Sequence, residues 1–244
     1  MRLGGRRLLA AFIAAGLALP AWTVAHASAR VPHGLVTHDM FSRIPVRRKI
    51  VALTFDDGPD ATVTPRVLDL LARYRVHATF FTTGAHMLAN PVLVREEIAE
   101  GHEIGNHTFD HRTLTRLSRR AVESEIRRAD DVFGALSLGH PVLFRPPRGL
   151  SSPRVLEIAR ELGHREVFWS IAIDRYARHE STRRAARDVL AHIRPGGIIL
   201  AHDCCFPFDR RRALDVLAIV IPRLQLQGYQ IVTVSELLHR GSLT

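Results

Sequence analysis
From residue 48 onward the chain alternates short apolar runs with longer stretches whose apolar positions recur at helical spacing. Ile50-Val51-Ala52-Leu53 leads through Thr54 into Phe55 and reads as a buried strand, Ile50 to Phe55. Thr64-Pro65 then supplies a cap and a proline at the first helical position, opening a helix that runs through Tyr74. His77 to Thr82 is a second strand, and Asn90-Pro91 repeats the cap-plus-proline signal before a helix over Val92 to Glu100. Gly101 closes that helix ahead of a short strand, His102 to Gly105. A helix over Ser118 to Phe133, a strand over Val142 to Phe144 and a helix from Ser152-Pro153 to near Gly163 follow. Glu166 to Ile173 is an apolar strand, Ser181 to Ile193 a helix broken by Pro195-Gly196-Gly197, and Ile198 to Ala201 a strand. Arg212 to Gln227 is helical despite Pro222, Tyr229 to Val234 is the last strand, and Ser235 caps a terminal helix.

About seven strand-helix units in order predict an α/β fold with a parallel sheet, closed into a barrel or open and doubly wound. Seven units favour an incomplete (β/α) barrel. Residues 49–244 are read as one catalytic domain and residues 30–48, which lack a strong period, as a leader into the first strand. Residues 1–29 differ: Arg2, Arg6 and Arg7 precede a charge-free stretch from Leu8 to Ala25, and Ala27-Ser28-Ala29 fits a small-x-small cleavage site. A cleaved signal peptide is expected, with an uncleaved N-terminal anchor as the alternative, because the stretch approaches spanning length although Pro20 interrupts it. The chain is expected to be secreted or in the cell envelope, as a monomer, with no membrane span once the signal is removed.

The 244 residues carry a formal charge of +10, almost all from arginine, since Lys49 is the one lysine among 34 basic residues. A chain cut after Ala29 keeps +7, because the removed segment holds three arginines and no acid. No basic stripe interleaved with aromatics is present, so nucleic acid is not an expected partner. The two cysteines are adjacent, Cys204-Cys205, and cannot make an ordinary long-range disulfide. They read as inert loop residues, with a ligand pair or a vicinal disulfide as alternatives.

The chemistry gathers at predicted strand ends. Asp56 and Asp57 are adjacent carboxylates that close the first strand, and they repel unless a cation separates their roles, one as ligand and one as proton acceptor. His107 and His111 follow the third strand four residues apart, a spacing that puts both imidazoles on one face of a helical turn. With Asp57 they form a two-histidine, one-carboxylate set suited to Zn2+ or another borderline divalent ion such as Co2+, with positions left open. In Arg145-Pro146-Pro147-Arg148-Gly149 the prolines stiffen the loop, so Arg145 is held at a fixed angle to a carboxylate and the Arg148 backbone N–H can donate. Leu200 and His202 share one side of the sixth strand, the leucine as wall. Taken alone, a histidine at such a position more often holds structure than reacts.

The sequences TFDDG at 54–58, HTFDH at 107–111, RPPRG at 145–149 and LAHD at 200–203 resemble, in their order, the motifs of the polysaccharide deacetylase family, carbohydrate esterase family 4. The resemblance covers roughly residues 48–240 and implies that Asp57, His107 and His111 bind the metal. It implies Asp56 as general base, Arg145 as the residue orienting it, His202 as general acid and Leu200 as lining for the acetyl methyl. Arg148 stands where the family often has tyrosine. Asp174, within Trp169-Ser170-Ile171-Ala172-Ile173-Asp174-Arg175-Tyr176, is the candidate to orient His202, and Trp169 is either pocket wall or core. The expected activity is removal of N-acetyl groups from an acetylated glycan such as peptidoglycan, chitin-like polymer or exopolysaccharide. The alternatives are an O-acetyl esterase, a small cyclic-amide hydrolase, or a glycan-binding protein with a degenerate site.

Overall fold
The structure, a computed structural model, describes residues 29–30, 39–205 and 211–241. The signal or anchor expected over residues 1–29 therefore lies, apart from Ala29, outside the described residues. In chain order the elements are β1 (Ala29–Arg30), β2 (Met40–Phe41), β3 (Ile50–Asp56), α1 (Thr64–Tyr74), β4 (Thr79–Thr82), α2 (Gly84–Ala89), α3 (Pro91–Ala99) and β5 (Glu103–Asn106). They continue with α4 (Arg119–Ala135), β6 (Leu143–Phe144), β7 (Leu150–Ser151), α5 (Pro153–Glu161), β8 (Arg165–Val167), β9 (Ile171–Ala172), α6 (Ile173–Ala177), α7 (Thr182–His192) and β10 (Ile198–His202), and end with α8 (Arg211–Leu226), β11 (Gln230–Val232) and α9 (Val234–Gly241).

The main sheet runs β2-β8-β6-β5-β4-β3-β10-β9 with every pair parallel, and β11 lies against the first half of β3 on the edge that β4 occupies further along. The predicted strand Glu166 to Ile173 is two strands. β8 pairs with β6 while β9 pairs with β10, so the single segment between them crosses the opening and draws the sheet into a distorted, incomplete (β/α) barrel. Residues before 49 are more than a leader: β2 extends the sheet beside β8, and Phe41 and Ile44 are buried in the barrel interior.

Alternation along each strand sorts side chains between two layers. On β3, Val51, Leu53 and Phe55 pack toward the helices, whereas Ile50 and Ala52 face the interior, which puts Thr54 and Asp56 on the inner face. On β10, Ile199 and Ala201 face the helices and Ile198 the interior, so Leu200 and His202 also point inward. Leu143 faces in and Phe144 out, which turns Arg145 inward. Burying each large side chain of these layers contributes about 1.5–3 kcal/mol.

Several helix features differ from the expected capping: Asn90 makes no side-chain cap on α3, and Thr233, whose Oγ1 accepts from Glu236 N, stands at the start of α9 in place of Ser235. Thr64 does not cap α1: its hydroxyl accepts from Asp60 N and donates to Asp203 Oδ2 at 2.6 Å. Pro222 sits inside α8 without ending it. A proline leaves the carbonyl four residues earlier without its helical donor, and Tyr74 Oη donates to that carbonyl, Ala218 O, at 3.2 Å.

Candidate active site
Asp56 ends β3, and the chain turns at Asp57 with φ 78°, so the two neighbouring carboxylates point apart. Asp56 Oδ1 accepts from Arg145 Nη1 at 2.5 Å, while its Oδ2 lies 3.9 Å from His107 Nε2. The Arg145 guanidinium is fully buried. Nη1 also donates to Thr54 Oγ1, Nε to Val167 O at 2.9 Å and Nη2 to Phe168 O at 3.2 Å, and its carbon stands 4.0 Å from the Phe81 ring centre. Those carbonyls belong to the last residue of β8 and the first of the segment that spans the sheet opening, so the guanidinium fills the place of missing strand partners.

Asp57 turns to the histidines. Its Oδ1 lies 3.4 Å from His107 Nε2 and 3.3 Å from His111 Nε2, and both of its buried oxygens lack a hydrogen-bond partner. Three ligand atoms at bond lengths of 2.0–2.1 Å around one tetrahedral ion would stand about 3.3 Å apart, so the set fits a divalent cation. Burial works to raise the Asp57 pKa, but the neighbouring His107 and the charges of His202 and His111 outweigh it and hold the carboxyl well below the usual range. Burial, with His107 beside it, lowers His111 to about 4. Both are thus in the protonation state a metal ligand requires at neutral pH. His107 Nδ1 donates to Arg145 O at 2.7 Å, which fixes the tautomer and leaves Nε2 for the ion.

The helical turn expected for His107 and His111 is absent. Thr108 and His111 have φ of 68° and 53°, and the loop is held by Asn106 Oδ1 accepting from Thr108 N and Thr108 Oγ1 accepting from His111 N. Side chains of Asn and Thr that bind their own backbone favour such turns over helix. The imidazoles still meet, ring centres 5.1 Å apart. Asp57, Thr108, His111, Arg148 and Cys205 are five of seven non-glycine residues with positive φ among the described residues, a clustering of strained backbone usual for functional sites.

His202 Nδ1 donates to Asp174 Oδ2 at 2.5 Å, from the first turn of α6. Burial works against the charged imidazole, but Asp174, Asp56 and Asp57 outweigh it and raise the His202 pKa. Leu200 is buried. Arg148 is exposed, with Nε donating to Thr113 Oγ1. Trp169 is half-buried, packs on the interior cluster and against Gly149, and has Arg145 at 5.6 Å from its ring. A cavity of about 370 Å3 opens beside the histidine pair, lined by Asp57, His111, Arg148, Phe109, His86 and Cys205 among others. Leu200, His202 and Trp169 are not in that lining.

Two residues were given no role from the sequence, although one of them, Asp203, closes the LAHD motif. Asp203, fully buried, accepts from Gly58 N at 3.1 Å and from Thr64 Oγ1, tying the Asp57 turn to α1, and burial raises its pKa to about 7. Gly58 is required there, because a Cβ would lie 2.1 Å from Asp203 Oδ2. His86 on α2 donates from Nδ1 to Asp57 O at 2.6 Å. Cys204 and Cys205 are paired with each other, the vicinal disulfide among the alternatives.

Known proteins resemble this chain in sequence and in fold. The polysaccharide deacetylase family matches residues 43–167. A peptidoglycan-N-acetylglucosamine deacetylase of Bacillus cereus is 41% identical over 208 residues, 85% of this chain and 94% of that protein. A chitooligosaccharide deacetylase of Bradyrhizobium is 38% identical over 191 residues, 74% of this chain and 87% of that one. Among solved structures, the Bc1960 peptidoglycan N-acetylglucosamine deacetylase superposes with a TM-score of 0.76 at 32% identity, covering 82% of this chain and 92% of that chain.

Proposed function
Since the chain belongs to the polysaccharide deacetylase family, we propose that it is an exported, metal-dependent hydrolase that removes N-acetyl groups from the amino sugars of a cell-envelope polysaccharide, peptidoglycan first. The observation that carries this is the placement, at one barrel mouth, of a buried carboxylate without hydrogen-bond partners between two imidazoles, beside a second carboxylate locked by Arg145. A divalent cation held by Asp57, His107 and His111 would supply Lewis acidity.

Asp56 takes the proton of the attacking water on Oδ2, since Oδ1 is engaged by Arg145. The backbone N–H of Arg148 donates to the oxyanion of the tetrahedral species. His202, whose pKa the bonded Asp174 raises against burial, gives its proton to the departing amine, which is otherwise too basic to leave. Leu200 on the same inner face offers apolar contact to the acetyl methyl. Zn2+ suits two imidazoles and a carboxylate. An envelope location is part of the proposal, supported by the apolar stretch Leu8 to Ala25 and by relatives named for peptidoglycan; no helix among the described residues is long and apolar enough to cross a membrane.

The test is acetate release by purified protein from peptidoglycan and from acetylated chitooligosaccharides, with and without chelator. Release that chelator abolishes and Zn2+ restores is expected. No release from any acetylated glycan, or release indifferent to chelator, overturns the reading.

A further inference from the structure
At the rim of the same cavity stands a second group of ligand atoms: the His86 imidazole with the sulfurs of Cys204 and Cys205, all within 4.8 Å of one another. We propose that the reduced protein holds a second cation there, a soft or borderline ion of the Zn2+, Cd2+ or Cu+ kind, on two thiolates and one imidazole.

The imidazole is prepared for a ligand's role. The acceptor at His86 Nδ1 is a carbonyl, Asp57 O at 2.6 Å, so Nδ1 carries the proton and Nε2 keeps its lone pair. A donor nitrogen fixed on a backbone carbonyl is the usual support of a metal-ligating histidine, and His107 shows the same arrangement through Arg145 O at 2.7 Å. His86 Nε2 then lies 3.7 Å from Cys205 Sγ. Zn–S of about 2.3 Å and Zn–N of about 2.0–2.1 Å at a tetrahedral angle require about 3.6 Å between those atoms. Cys204 Sγ lies 3.6 Å from the ring's other nitrogen, Nδ1, and 4.0 Å from Asp60 Oδ2, with all three candidate ligand atoms within 4.8 Å of one another. The N–H groups of Thr62 and Val63 and the Thr62 hydroxyl donate to Asp60 Oδ1, so a carboxylate faces the sulfurs.

The sulfurs are bonded to each other in the structure, so the site forms only on reduction. A dithiol or phosphine supplies two electrons, the S–S bond breaks, two protons are taken up and two thiols result. Binding the cation then releases both protons to solvent, with the sulfurs parting to about 3.8 Å, the separation two 2.3 Å bonds subtend. Thiolates select soft and borderline ions over Mg2+ or Ca2+. An ion there would stand beside Asp57, because His86 bonds the Asp57 carbonyl and both residues line one cavity.

The probe is Cd2+ alone, titrated into chelator-stripped full-length protein before and after phosphine reduction. Reduced protein is expected to bind two equivalents, one of them giving a thiolate-to-cadmium ultraviolet band, and oxidised protein one equivalent without the band. Cys204→Ser/Cys205→Ser should lose the band and keep one equivalent at the Asp57 set, and His86→Ala should weaken the band-forming site at least tenfold. One equivalent without a band in reduced protein, a band in oxidised protein, or full affinity in His86→Ala would each overturn the proposal. The comparison of oxidised with reduced protein is made on the wild type, and the equivalent at Asp57 is read separately, so failure here leaves the proposed hydrolase untouched.

Discussion
His202 and Asp174 meet at 2.5 Å, a histidine from the end of one strand and an aspartate from the first turn of a short helix 28 residues earlier. Together with Asp56 and Asp57 this contact raises the His202 pKa against the opposing effect of burial. An acid held above its ordinary pKa stays protonated to higher pH, and its contribution is lost as pH rises through the raised value. Asp174→Asn is therefore expected to move the alkaline limb of the kcat/KM profile to lower pH by roughly one to three units, the size of an opposite-charge effect. An unmoved limb would separate Asp174 from the proton donor.

Asp56 and Asp57 should fail differently. Asp56→Asn keeps the shape and the hydrogen bond to Arg145 but loses the base, so turnover should fall by about 10²–10⁴-fold with metal content near wild type. Asp57→Ala should lose the metal. Metal analysis beside acetate release distinguishes them, and equal metal loss in both would contradict the division of roles.

Burial raises Glu166 from an ordinary 4.5 to about 7, against the opposing hydrogen bond from Ser151 Oγ. Between those values the unfolded chain ionises while the folded one keeps its proton, so stability is full below about pH 4.5 and falls as pH rises toward 7. At about 1.4 kcal/mol per pH unit the loss is on the order of 3 kcal/mol. Glu166→Gln should remove most of it, measured by denaturant unfolding at pH 5 and pH 8. A pH dependence identical to wild type would show that another group is responsible.

Gly58→Ala places a Cβ 2.1–2.4 Å from the Asp203 carboxylate, which is fully buried and cannot withdraw. Overpacking of this kind costs about 1–3 kcal/mol, and the turn that aims Asp57 must shift. A lower Tm together with weaker metal retention is expected. Unchanged values for both would mean the loop tolerates the shift.

How far the sequence reached depends on the range of the interactions involved. β3 and β10 were legible because apolar runs with period two need no knowledge of partners, and Ser118 and Ser152 were legible because each cap acts three residues away. Asp56, Asp57, His107, His111, Arg145 and His202 stood out through their shared position after strands. The left-handed turn at Thr108 and His111 was missed because four-residue spacing is ambiguous between a helix and an Asn- or Thr-stabilised loop. The break between β8 and β9 was hidden because it depends on Arg145 supplying donors from the loop after β6. β2 is two residues long and has no period to read. His86 was passed over because its partners lie 29 and 118 positions away.

Arg145 governs both halves of the chemistry at once: its side chain positions Asp56 and its carbonyl sets the ring of His107. Under the proposed mechanism, a change that displaces this residue would disturb the base and the cation site together, since its placement bears on both. Arg148, three positions along the same loop, lies exposed at the cavity with its Nε on Thr113 Oγ1, so its side chain can be varied while the two Arg145 contacts stay in place.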